Sequence, residues 1–446
     1  MSNSSGNGDV AEIATNAVCV NCRLPLPIRP KRQGEVGKNW ACIGCKTNYH
    51  AVLLENAPAE FANNVRAVVV AKPIVRTRGD SLVQDRLGAP QGVATKPLRP
   101  RQVASCTLQT QASRQIDSAV IRGQDLSVSL TGLPFSGAIN KPGAFPYDPE
   151  TESKQVESFQ ASIQQVESLV GTLKEGKSID GNAHETIARE TLKQATSDLD
   201  LFVRLGINPI GGGYPEQHSL HTSMLASAMG ANLGWDHQTL VDLGVGCLIH
   251  DLGMLNVPDR VHNQHRVLSD HEYDRISAHP LHSFDLIEAH LSTLPLSSKM
   301  VAYQMHERCD GSGYPRKRRC NEMHDAAKVA AVADVYIALV SPRPHRPGLM
   351  PYYAVEHLLY GVKSNLFDSR SVRSLLKTIS LFPIGSYVKL SDGRIARVLR
   401  ANPADYYRPV VEAWRAEELA AAPMLVDLAK ESRLSIHAPV ASLPKA

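Results

Sequence analysis

Between His218 and Asp334 the chain sets histidines and aspartates at wide intervals into apolar, helix-like sequence. The fixed points are His218, the adjacent pair His250-Asp251, His279, the segment His306 to Pro315, and Asp334. Each side chain can bind a metal ion or move a proton. A metal site built inside a helical bundle, from side chains on several facing helices, has this pattern. Imidazole with carboxylate suits iron, manganese or zinc better than calcium or magnesium, which prefer all-oxygen shells. A lone histidine is more often a hydrogen-bonded core or surface residue, and the chain has 17, so the ordered set carries the argument. His221, His237, His262, His265, His271, His282, His290, His324, His345 and His357 are taken as non-ligands.

The rest of the chain limits what can surround this stretch. With 446 residues there is room for two or three domains. A formal charge of +4 gives no bulk electrostatic case for nucleic acid or anionic membrane. No apolar run approaches the roughly 18 residues of a membrane span, and the polar start Met1 to Gly6 lacks the order of a secretory signal. Cys106, Cys247, Cys309 and Cys320 stand isolated, which fits a reducing compartment, so a cytoplasmic protein is expected.

Residues 1–17 read as a disordered lead, and 18–56 as a zinc ribbon. Cys19-x-x-Cys22 and Cys42-x-x-Cys45, with nineteen residues between the inner cysteines, can place four thiolates at tetrahedral corners around a structural zinc. Residues 57–150 read as a Pro-, Gln-, Ser- and Thr-rich linker, with local β structure at 118–122 and 126–130. From about Thr151 helical spacing takes over, in Val156, Phe159, Ile163, Val166 and Leu169 and again in Ile187, Leu192, Leu199 and Phe202. Residues 151–380 are expected to form the helical domain. Residues 381–416 are expected to form a small β extension with a hairpin at Asp392-Gly393, and 417–446 a helix and tail. The fold class is mainly α.

The ordered motifs His218, Ile249-His250-Asp251-Leu252-Gly253, Ala278-His279-Pro280, His306-Glu307-x-x-Asp310-Gly311-x-Gly313-Tyr314-Pro315 and Ala333-Asp334 resemble those of an HD-GYP domain. This is a branch of the HD metallophosphohydrolase superfamily. The resemblance covers about residues 185–375. It implies a helical HD-type bundle holding one or two divalent metals, iron or manganese, and hydrolysis of cyclic di-GMP to pGpG or GMP. By matching positions, the metal ligands would be His218, His250, Asp251, His279, His306 and Asp334. His250, Asp251, Glu307 and Asp310 would serve catalysis, while Gly313, Tyr314, Pro315, Arg343 and Arg346 would meet substrate. A protein partner through the ribbon or linker, and a homodimer, are both compatible with the resemblance.

Departures from the family pattern bear on turnover. Met305 stands where the family has a further histidine, Met254 where it has a lysine, Ile337 where it has an aspartate, and Tyr214 where some relatives have a glutamate. A thioether neither binds hard metals well nor carries charge. A catalytically weak or inactive module that binds nucleotide or a partner protein is therefore the alternative reading. HD chemistry on another phosphate substrate is a third.

Overall fold

The computed structural model describes residues 39–41, 48–54, 68–73, 111–121, 126–139, 145–208, 214–258, 261, 269–291, 293–342, 348–415 and 422–442. The chain divides into two units, Met1–Leu98 and Arg99–Ala446. In the first, strands β1 (Asn39–Ala41), β2 (Asn48–Leu54) and β3 (Val68–Pro73) form an antiparallel sheet in chain order. The expected zinc ligands Cys19, Cys22, Cys42 and Cys45 lie outside the described residues.

The second unit is a helical bundle followed by a sheet. Helices α1 (Gln111–Ile121), α2 (Pro149–Lys174), α3 (Gly181–Ser197) and α4 (Leu199–Ile207) precede the two central ones, α5 (Glu216–Asn232) and α6 (His237–Ile249). A 3-10 turn, Leu252–Asn256, then leads to α7 (Asp270–Ser277), α8 (His279–His290) and α9 (Leu296–Gln304). The helices close with α10 (Asp325–Val340), α11 (Pro351–Lys363) and α12 (Ser369–Ile379).

Aspartates set several of the starts. The carboxylates of Asp148, Asp180, Asp198 and Asp236 accept from backbone amides in the first turns of α2, α3, α4 and α6, occupying donors that a helix N-terminus leaves unpaired. In α5, every residue from His218 to Ala231 is buried, as befits a helix surrounded by others. Its Leu220, Met224 and Leu225 join Leu240, Val245 and Ile249 of α6 and Val329, Val332 and Tyr336 of α10 in one core.

Strands β4 (Tyr387–Leu390), β5 (Ile395–Arg400), β6 (Val410–Trp414), β7 (Met424–Asp427) and β8 (Ile436–Val440) form an antiparallel sheet in the order β7-β6-β5-β4-β8. The hairpin falls at Asp392-Gly393, where Gly393 takes φ of 91°, a value that favours glycine. Three expectations fail, the first being the local β structure at 126–130, where no strand forms. The described residues of 417–446 contribute two strands instead of the expected helix. Val426 is buried against the core and Leu425 pairs with Glu412, so pairing to both open edges of the sheet decides the conformation. The proposed strand at 118–122 belongs to α1 through Ile121, because Ile116 buries itself among Leu281, Phe284, Met300 and Tyr303; tertiary packing overrides local alternation.

Arg400 ties sheet to bundle. Its guanidinium, 3% exposed, meets Asp198 through Nη1–Oδ1 at 2.9 Å and Nη2–Oδ2 at 2.8 Å. It also donates through Nε to the Phe145 carbonyl at 2.6 Å and lies 4.7 Å from the Tyr147 ring centroid. The Tyr147 hydroxyl in turn donates to the Leu399 carbonyl. Arg400→Met strands a buried carboxylate, and denaturant unfolding is expected to show a loss of about 3–5 kcal/mol.

Burial also holds the His184 imidazole neutral, pushing it down from 6.5 to about 4. Its folded-state value lies below the unfolded one. The stability it contributes is therefore complete above about pH 6.5 and drains away as pH falls towards 4. Between pH 7 and pH 5, His184→Leu should lose about 2 kcal/mol less stability than the unaltered protein, read from denaturant midpoints at the two pH values.

Candidate metal centre

Helix ends deliver the site. His218 lies in the first turn of α5 and His250 directly follows α6, with Asp251 beside it. His279 opens α8, His306 comes two residues after α9, and Asp334 lies within α10. All six are buried, from 0% exposed at His250 to 8% at His218. Gly253 permits the closest approach in this part of the fold. A Cβ there would stand 2.0 Å from the His279 carbonyl oxygen, so a larger residue would force α8 away from Asp251.

The side chains converge. His218 Nε2 is 2.9 Å from Asp334 Oδ1, and His250 Nε2 is 3.3 Å from Asp251 Oδ2 and 4.0 Å from Asp334 Oδ1. Across the site, His279 Nε2 is 3.1 Å and His306 Nε2 is 3.8 Å from Asp251 Oδ1. The ligand atoms of His218, His250 and Asp334 lie within 4.8 Å of one another, as do those of His250, Asp251 and His306. His250 and Asp251 thus stand between two halves of one cluster.

Two histidines have fixed tautomers. His250 Nδ1 is 2.7 Å from the Cys247 carbonyl and His279 Nδ1 is 2.6 Å from that of Ile276. Each Nδ1–H donates three residues back, leaving an Nε2 lone pair aimed inward, as outer partners do for metal-binding histidines. His250 Nε2, Asp251 Oδ1, His279 Nε2 and His306 Nε2 are buried without a well-aligned hydrogen bond. Buried polar atoms ordinarily have partners, so these orphaned donor atoms fit a divalent cation.

The electrostatics agree. Burial alone would raise the Asp251 and Asp334 carboxyls; facing imidazoles outweigh it and hold both well below the usual carboxylate range. Burial likewise works against charge on His250, but Asp251 and Asp334 overcome it and push His250 up to about 9. His306, where burial prevails with help from the His279 and His250 charges, is driven down to about 4. A cation would replace the proton that His250 otherwise keeps beside the two carboxylates.

Around this cluster the expected residues divide. Glu307, 1% exposed, accepts the amides of Arg316 and Arg318 at 2.7 and 3.0 Å, so it braces the following loop. Burial raises its carboxyl to about 7 despite those bonds. Asp310 is exposed, and its carboxylate accepts the Ser312 amide at 2.9 Å and hydroxyl at 2.6 Å. It shapes a turn and does not join the cluster. Gly313 has no room for a Cβ, which would meet the Arg308 amide nitrogen at 2.4 Å.

Tyr314 lies flat on His306, with ring centroids 5.1 Å apart and planes 17° apart, and meets His279 edge-on. It packs against the histidines themselves. Pro315 is buried beside it. Arg343 and Arg346 lie outside the described residues. Met254 packs with Val257 and Val261, while Met305 and Ile337 belong to the main core.

One residue escaped the sequence reading. Ser283 Oγ accepts the Gly253 amide at 2.7 Å and donates to the His250 carbonyl at 2.6 Å, stitching the His-Asp turn to α8. Its only sequence signal is its place one helical turn after His279.

Residues 197–370 match the HD domain family. The chain is 28% identical over 201 residues to cyclic di-GMP phosphodiesterase PA4108 of Pseudomonas aeruginosa, a match covering 45% of this chain and 47% of that one. It is 30% identical over 155 residues to the cyclic di-GMP phosphodiesterase response regulator RpfG of Xanthomonas campestris pv. campestris, covering 35% and 41% respectively. The chain thus spans about half or less of the length of these relatives. Among solved structures it is similar to Bd1817, an HDG"Y"P protein from Bdellovibrio bacteriovorus, with a TM-score of 0.41 and 14% identity over 54% of this chain and 75% of that one.

A ligand that binds only the folded state stabilises it by mass action, about 2.7 kcal/mol at one hundred times Kd. Manganese(II) is therefore expected to raise the melting temperature, and a chelator to reverse the rise. In Asp251→Ala the rise should vanish, which thermal melts at several manganese concentrations will read directly.

Proposed function

We propose that this protein is a metal-dependent phosphodiesterase that opens a cyclic dinucleotide, cyclic di-GMP, to pGpG or GMP. The observation that carries the reading is the buried convergence of His218, His250, Asp251, His279, His306 and Asp334, with inward-facing donor atoms that the protein leaves unpaired. His218, His250, Asp251 and Asp334 would hold one cation, and Asp251, His279 and His306 a second. Iron or manganese suits this mixed imidazole and carboxylate set. Bound there, the metal supplies Lewis-acid activation of the phosphodiester and of the attacking water.

The protein's own residues do the rest. Two buried carboxylates give the site its negative charge, the Cys247 and Ile276 carbonyls fix the tautomers of His250 and His279, and Tyr314 keeps His306 in place. Arg343 and Arg346, matched to phosphate-holding positions of the resembled family, would take the substrate phosphate with guanidinium forks. The names of the relatives, cyclic di-GMP phosphodiesterases in both cases, support the substrate class. At the N-terminus, the four paired cysteines Cys19, Cys22, Cys42 and Cys45 are proposed to hold a structural zinc and to offer a surface for a protein partner.

A second reading rests on Met254 and Met305, which are 4% and 0% exposed. Both are settled in apolar packing, and neither brings charge or a hard ligand to the site. That arrangement favours a module that binds cyclic dinucleotide and turns it over slowly or not at all.

Anaerobic reconstitution with iron(II) or manganese(II), followed by product analysis, separates the readings. Turnover to pGpG or GMP that disappears in Asp251→Ala is expected. Met254→Lys with Met305→His is expected to raise the rate about tenfold or more, the scale of a single electrostatic donor. Metal-loaded protein that binds cyclic di-GMP without turnover would establish the second reading.

A further inference from the structure

Helix α1 lies outside the residues that match the HD domain, yet one of its carboxylates reaches the loop after Gly313-Tyr314-Pro315. That loop continues as Arg316-Lys317-Arg318-Arg319, a run whose ordinary fate is solvation or phosphate binding. Here two of the four turn inward. Asp117 Oδ2 accepts from Arg316 Nε at 3.0 Å and Oδ1 accepts from Arg318 Nη2 at 2.5 Å. The Tyr303 hydroxyl donates to Asp117 at 3.1 Å and accepts from Arg316 Nε at 2.9 Å, and Arg316 Nη2 donates to Ser113 at 3.2 Å. The Asp117, Arg316 and Arg318 side chains are 17%, 12% and 8% exposed. Ile116, in the same helix turn, anchors α1 on α8 and α9 through Leu281, Phe284, Met300 and Tyr303.

The backbones of the two arginines do the second half of the work. Their amides are the donors that Glu307 accepts. Glu307 follows His306, and Tyr314, two residues before Arg316, stacks on the His306 ring. A continuous set of contacts therefore runs from Asp117 through the arginines to His306. Without the Asp117 charge, two largely buried guanidiniums would lose the carboxylate to which both donate. Exposing them to water is the cheaper arrangement, and their backbone would follow.

We propose that Asp117 is a positioning residue for the metal centre, acting from outside the HD domain by holding the loop that carries Tyr314 and thereby orienting His306. The inference rests on the reading that His306 holds metal.

The test compares Asp117→Asn, Asp117→Glu and the unaltered chain, with Arg400→Met as a variant destabilised where the sheet joins the bundle. Two quantities are read well below the melting temperature: manganese(II) affinity, and the rate of trypsin cleavage within residues 316–319, mapped by mass spectrometry. In Asp117→Asn the manganese Kd should rise about fivefold or more and cleavage in the loop about tenfold. Asp117→Glu should recover part of both, and Arg400→Met should change neither. Where turnover is measurable, kcat should fall more than KM rises.

Manganese affinity unchanged in Asp117→Asn, or lowered equally in Arg400→Met, would overturn the proposal while leaving the metal centre intact. An unaltered protein that binds no manganese would instead remove the metal-centre reading, and the proposal with it.

Discussion

Two carboxylates buried side by side in a helical core would ordinarily expel each other or take up protons. Asp251 and Asp334 are 2% and 6% exposed, and both are held far below the usual carboxylate range. This is tolerable only because His218, His250, His279 and His306 surround them, and because the cluster can accept positive charge. The surrounding structure can be understood as what keeps that arrangement from relaxing. His250 and His279 cannot flip, since each is tied by Nδ1 to a carbonyl one turn back. Ser283 fixes the turn that presents Asp251, and Gly253 lets α8 come close enough for His279 to face it.

Much of this was legible in the sequence because each metal-type residue stands in a local motif whose geometry is local as well. His250-Asp251 at a helix end and His279 at a helix start keep their meaning whatever packs around them. Helices α2 to α4 were legible for a similar reason: apolar residues recurring at helical spacing leave few alternatives. The placement of Asp310 is one that spacing does not give. It sits inside the most recognisable segment of the chain, yet its carboxylate is spent on the Ser312 turn, a choice made by loop geometry that no spacing rule reports.

Long-range contacts were the other blind spot. Residues 118–121 alternate like a strand, but the burial of Ile116 against α8 and α9 makes them helix. The final strands β7 and β8 form because edges left open by β6 and β4 accept them. The basic run 316–319 carries no mark of a partner in its own sequence, yet Asp117, some two hundred residues earlier, pairs with Arg316 and Arg318. In each case the deciding partner is far away in sequence and carries no signature of its own.

The two halves of the proposed centre are not equal, and the inequality has a physical direction. One half gathers His218, His250, Asp334 and a share of Asp251; the other has His279, His306 and the remaining Asp251 oxygen. Met305, the residue that might have evened the count, is fully buried in the main core and supplies no hard donor. The leaner half depends more on the exact placement of His306, which rests on the Tyr314 ring and on the loop that Glu307 and Asp117 restrain. Restraint from neighbouring residues therefore matters most where the ligands are fewest. In the proposed centre the bundle would secure a first cation and the loop a second.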